Sequence, residues 1–162
     1  MHAGRLMVLG AVMLLAAQGA EAKLPPKLLG KAFVLAEKPA DQDAAALAKI
    51  CEKAPPVAEL QREKGQNGHW VGNLVAFFRK PSVKGPVIIW IYDKADKQSI
   101  KDGEPIQALS VDTSPKDLFL HELDLDPDQG YNKDRTYLIR VGQLIGKKER
   151  VYAVGEVKLL KK

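Results

Sequence analysis

Asp124, Asp126 and Asp128 stand at alternate positions and run into a turn, in the stretch DLDPDQGYNKDR. Oxygen ligands so spaced can wrap calcium, because the hard cation takes carboxylates and carbonyls from alternate residues of a tight loop. Counted from Asp124, a calcium loop of the helix–loop–helix kind wants glycine sixth and a bidentate glutamate twelfth. Here Gln129 is sixth, Gly130 seventh and Arg135 twelfth. Leu123 and Leu125 interleave with the acids, which puts Asp124 on the outward side of a strand, and Pro127 with Gly130 then makes a corner. Tyr137 opens the next strand, where a tyrosine hydroxyl can hydrogen-bond back to that corner. The corner is the favoured reading; a metal loop with Asp124, Asp126 and Asp128 as ligands is the alternative.

Other chemistries find fewer residues. Beyond residue 22 the chain holds two histidines, His69 and His121, and one cysteine, Cys51. A zinc site wants three or four ligands, mostly His or Cys, and neither H-x-H nor C-x-x-C spacing occurs. A copper site of the cysteine–histidine–methionine kind lacks its partners near Cys51. Cys51 lies at helical spacing from Leu47 and Ala54, as a buried inert thiol would; a reactive or intermolecular thiol is the alternative. His121, between Phe119 and Leu123, reads as a half-buried histidine with a hydrogen-bond partner. Ser82, Ser99, Ser110 and Ser114 fall in turns or at strand ends, and no G-x-S-x-G elbow, P-loop or G-x-G-x-x-G is present. Carboxylates are plentiful, so a hydrolase with a carboxylate pair stays open, but nothing singles one pair out. Trp70 beside His69, at a strand start, either joins the core or sits on a rim where it could bind a ring. No catalytic residue and no cofactor is expected.

The elements that must position these residues follow from periodicity. KAFVLAE (31–37) reads as a short strand. PADQDAAALAKICEKAPP (39–56) sets Ala44, Leu47, Ile50, Cys51 and Ala54 on one face, giving a helix of about three turns. A polar loop follows over 60–68. From His69 the period becomes two, with strands expected at 69–80, 86–94, 105–111, 117–126, 135–141 and 149–160. PVIIWIYDK is apolar without a break from Val87 to Tyr92, as a strand covered on both faces would be. In the last two strands Tyr137, Ile139 and Val141, then Val151, Ala153, Val157 and Leu159, should point inward. The connectors after residue 69 are too short for a crossover helix, which implies antiparallel pairing.

With the first strand the count is seven. Trp90 in the third strand and Tyr137 opening the sixth make the chain resemble immunoglobulin-like and fibronectin-III-like domains over residues 31–160. The resemblance implies an antiparallel seven-stranded sandwich, here with one short N-terminal helix. Two departures stand out: the inter-sheet cysteine pair is absent, and a helix separates the first two strands. The organisation expected is a signal peptide (1–22), a lead-in strand, helix and loop (23–68) and a β-sandwich core (69–162), with 31–160 as one domain.

The address comes from the first residues. His2 and Arg5 precede an apolar run from Leu6 to Ala17, and Ala20 and Ala22 stand as A-x-A before Lys23. That is the pattern of a cleaved signal peptide. The run is too short for a membrane span, which needs about 20 apolar residues. An exported, extracytoplasmic protein, periplasmic or secreted, is therefore expected, with no transmembrane segment after cleavage and no internal disulfide, since Cys51 stands alone. Net charge is +5 and stays so after cleavage, which removes one arginine and one glutamate. Such a balance is either a solvated cationic face or a complement to an acidic envelope surface; no nucleic-acid motif accompanies it.

GQLIGKKER (142–150) links the last two strands, and its middle is out of place. Hairpin tips are usually polar, yet Leu144 and Ile145 stand there, followed by Gly146 and the cations Lys147, Lys148 and Arg150. They either fold back to cap the open end of the sandwich or stand exposed as a contact for an acidic partner or an anionic membrane. The function these observations favour is a non-enzymatic binding or assembly module of the cell envelope, its partner an envelope protein or acidic surface. A small-ligand or calcium-binding protein using the 124–134 loop is the alternative.

Overall fold

A computed structural model describes residues 23–62, 68–113 and 115–161. The expected signal peptide, residues 1–22, lies outside them, as do residues 63–67 of the polar loop and Ser114. Strands are β1 (Lys31–Leu35), β2 (Val57–Gln61), β3 (Trp70–Phe77), β4 (Val87–Asp93), β5 (Gln107–Val111), β6 (Leu118–Leu125), β7 (Arg135–Ile145) and β8 (Lys148–Leu160). Helix α1 (Ala44–Lys53) follows β1, and α2 (Lys97–Asp102) follows β4. No helix of the described residues is long and apolar enough to cross a membrane.

The molecule is mainly β, as the alternation implies, but its hydrogen bonding differs from a seven-stranded immunoglobulin-like sandwich. All eight strands join in one sheet of order β5-β4-β7-β8-β1-β3-β6, with β2 on β8 beside β1. The extra strand, β2, is short and turns only Ala58 and Leu60 into the core, too brief an alternation to stand out from a polar loop. β1 and β2 both run parallel to β8, and the other pairs are antiparallel. Two strands running the same way need a crossover, and α1 is that crossover.

At this fork β1 pairs with β8 only at Lys31 and Val154, and β2 takes over from Glu156 to Leu160. Gly155 lies between, where a Cβ would come 2.2 Å from the carbonyl oxygen of Ala32. Only glycine lets the strands pass so closely.

The sheet curls so that strands near its two edges share one core: Val87, Ile89 and Ile91 of β4 pack in the same cluster as Phe119, Leu123 and Leu125 of β6. On the outer face of β1 and β3, α1 buries Leu47, Ala48 and Cys51 against Phe33, Val75 and Phe77. Asp43 caps α1, its carboxylate accepting from the backbone N–H of Ala45 and Ala46. On the outer face of β4, Trp90 and Tyr92 are also buried, at 5% and 0% exposure, which accounts for the unbroken apolar run.

The six-residue α2 packs on β4 where a plain turn is expected. Asp96 starts it, accepting from the backbone N–H and hydroxyl of Ser99, and Gly103 ends it in the left-handed region at φ 74°. α-Helices therefore number two among the described residues rather than one.

A bulge corrects the inward set of β8. Register shifts between Val141 and Gly142, which pair with Ala153 and Val151. Tyr152 is the extra residue; it turns into the core, and Val151 is left outside.

Candidate functional site

The corner comes first. Tyr137 is fully buried, its hydroxyl accepting from the backbone N–H of Asn132 at 2.7 Å, five residues upstream. Burial raises its pKa above the ordinary phenol value. Tyr131 packs edge-on to Tyr137 at 5.1 Å and donates to the Gln107 side chain at 2.7 Å, tying the corner to edge strand β5.

The three aspartates separate along this corner. Asp124 Oδ1 meets His69 Nδ1 at 2.6 Å, and Asp126 lies 3.7 Å from His69 Nε2. Asp126 also accepts from the backbone N–H of Asp128 at 2.8 Å, capping a one-turn helix over Pro127–Gln129. Asp128 points away as an exposed residue of that turn. Among the described residues no group of three or more His, Cys, Asp or Glu side chains could hold a metal ion. What the corner assembles is a histidine between two carboxylates, clipping the start of β3 to the end of β6. That clip was not legible in the sequence, because it depends on register: Trp70 pairs with Leu125.

Trp70 is core and not a rim. It is 1% exposed, its indole N–H donates to the carbonyl of Leu160 at 2.9 Å, and the Arg62 guanidinium lies 5.3 Å from its ring. His121 is half-buried and stacks on Phe119 at 6.1 Å. Cys51 is buried on the inner face of α1, and burial pushes its thiol up to about 11. A thiol so raised carries almost no thiolate near neutrality, which is the inert reading.

Two open grooves flank the end of α1. One, of about 470 Å³, runs between the helix and the β1–β8 contact past Phe33 and Val154. Lys27 and Glu52, which also line it, pair with each other at 3.2 Å. The other, of about 570 Å³, lies in the wedge where β1 leaves β2, with Ile50, Pro55 and Ala58 on its walls.

The hairpin between β7 and β8 settles the position of the misplaced aliphatics. Both strands extend to a two-residue turn, Gly146 and Lys147. Leu144 and Ile145 are 53% and 44% exposed, so they do not fold back as a cap. The physical reason is pairing: β4 accompanies β7 only as far as Gly142, and the ribbon then projects beyond its neighbours. Val151, opposite Gly142, and Val154 continue the exposed apolar residues down β8. Lys147 and Lys148 are exposed, and Arg150 lies over the Tyr152 ring at 5.6 Å. The acid among them, Glu149, is occupied: it accepts from the Tyr92 hydroxyl at 3.0 Å and pairs with Arg140 at 3.5 Å. Burial, with that contact to Glu149, pushes Tyr92 up to about 12.

Leu144, Ile145, Lys147, Lys148 and Arg150 thus come together on one projecting tip, whereas Asp124, Asp126 and Asp128 do not come together around one point. No family model, curated protein or solved structure matches the chain, so what this surface does has to be read from its own residues.

Proposed function

We propose that the chain is an exported, non-enzymatic binding or assembly module of the cell envelope that makes its contact through the β7–β8 hairpin tip. The observation that carries this is the exposure of Leu144 and Ile145 at the end of a projecting ribbon, ringed by Lys147, Lys148 and Arg150. Two large aliphatics left about half in water gain little from folding there, and exposed apolar residues grouped at one tip point to an interaction site. The cations add attraction to an acidic surface and steer the approach.

The test is a pair of substitutions, Leu144→Asp with Ile145→Asp, in the mature chain. Both side chains are exposed, so the melting temperature should stay within about 2 °C of wild type, as surface changes usually cost under about 0.5 kcal/mol. Co-sedimentation with the envelope fraction should be lost. Retained co-sedimentation with retained stability would remove the hairpin as the contact.

A further inference from the structure

We infer that the occupant of this surface is an anionic lipid headgroup layer, and that the surface is composite: the hairpin tip together with the β3–β4 connector, residues 78–86. This rests on the hairpin reading above and names its partner.

Shape is the first reason. Leu144 and Ile145 are neighbours on a strand, so their side chains leave opposite faces of the ribbon. Both are exposed, and β4 no longer borders them. A protein partner that covered one face would leave the other aliphatic in water. A lipid interface surrounds a narrow insert and takes both.

The second reason is a companion tip. Val83 is 42% exposed and stands between Lys80 and Lys84. Its backbone is held by Gln143, which is 3% exposed and belongs to β7. The N–H of Val83 donates to Gln143 Oε1 at 2.9 Å. Gln143 Nε2 donates to the carbonyls of Val83, Gly85 and Pro86 at 2.8, 3.1 and 3.3 Å. The buried amide therefore fixes the connector against the root of the hairpin, and two apolar tips face the same end of the sheet.

Charge is the third. Residues 78–86 contain no acid, and the hairpin's Glu149 is held by Arg140 and Tyr92. Phe78 and Ser82 hydrogen-bond the backbone of Asp117 and Lys116, and Asp112 follows Val111, the partner of Val87, so two acids and one further cation border the patch. The opposite end of the sheet carries Asp93, Asp124, Asp126, Asp128 and Asp134 together with Lys94, Lys133, Arg135 and Lys158, so its charges largely offset. The end with the net cationic excess is then the one drawn toward a negative membrane. Apolar insertion combined with cations is how weak anchors reach useful affinity.

The mature chain should sediment with protein-free vesicles containing phosphatidylglycerol and not with vesicles of phosphatidylcholine alone. Neutralising any one of Lys147, Lys148 or Lys84 to alanine should weaken that binding about fivefold, and raised salt should weaken it further. Val83→Asp, outside the hairpin, should also lose vesicle binding with an unchanged melting temperature. Equal sedimentation with both vesicle types would overturn the anionic-headgroup assignment, and full binding by Val83→Asp would overturn the composite surface. Binding to the native envelope fraction without binding to vesicles would leave the hairpin contact standing and make its partner a protein. Binding to neither would remove both readings.

Discussion

Gln143 uses both ends of a neutral amide at once, accepting from Val83 N–H and the Tyr152 hydroxyl while its two amide N–H groups are shared among three carbonyls. An isosteric apolar side chain cannot replace this. Gln143→Leu strands those partners in a buried place, and each unsatisfied buried group costs about 1–3 kcal/mol. A loss of about 3 kcal/mol in equilibrium urea unfolding is expected; a loss within error of zero would mean the connector holds itself. Burial pushes the His121 imidazole below its ordinary value of 6.5, with nearby Glu122 opposing. The folded state disfavours the charged form, so the unfolded chain binds the proton more readily. The contribution is complete above 6.5 and is lost as pH falls from there through the folded value. The melting temperature should therefore drop on going from pH 7.5 to 5, and His121→Phe should reduce that drop. An unchanged pH dependence in the variant would show that His121 is not its source.

Elements in this fold are matched to their neighbours by single residues. β8 is the spine, pairing with β7 along its length on one side and with β1 and then β2 on the other. The exchange of partners depends on Gly155. Gly155→Ala brings a methyl against backbone, which cannot rotate away, and overpacking of this kind costs about 1–3 kcal/mol or more. Chemical unfolding should show that loss, and a neutral result would mean the fork is looser than drawn. α1 is held differently, by an Asp43 cap and by Leu47 at 0% exposure. Leu47→Ala should cost about 2–5 kcal/mol.

At the scale of the whole molecule, the two ends of one curled sheet differ. The corner end mixes acids with cations such as Lys133 and Arg135 and closes on itself through His69, Tyr131 and Tyr137. Two of its carboxylates are already used, Asp124 by His69 and Asp126 by the cap at Asp128. Millimolar calcium should therefore leave the melting temperature unchanged, whereas a bound ion at a hundred times its dissociation constant would add about 2.7 kcal/mol. A clear upward shift, abolished by Asp126→Asn with Asp128→Asn, would restore the metal loop. The other end carries Leu144, Ile145 and Val83 among lysines, and is where contact with a surface is proposed.

Local alternation by itself determined most of the strands, the α1 helix and the buried faces of β3, β4 and β7, because period-two burial is written residue by residue. The corner tyrosine was legible for the same reason: Tyr137 and its backbone partner Asn132 are only five residues apart. Two elements were not. β2 is too short to show a period, and α2 is a turn-like KQSIKD whose cap becomes decisive only once β4 offers it a surface. The single sheet was not legible either, since parallel pairing of β1 and β2 with β8 joins residues roughly a hundred positions apart, and nothing local specifies such a partner. The same holds for the surface. Leu144, Ile145 and the cations are visible in the chain, but whether they cap or project was decided by where β4 stops pairing with β7. Val83 joined them only through Gln143, a contact across 60 residues that tertiary packing alone creates.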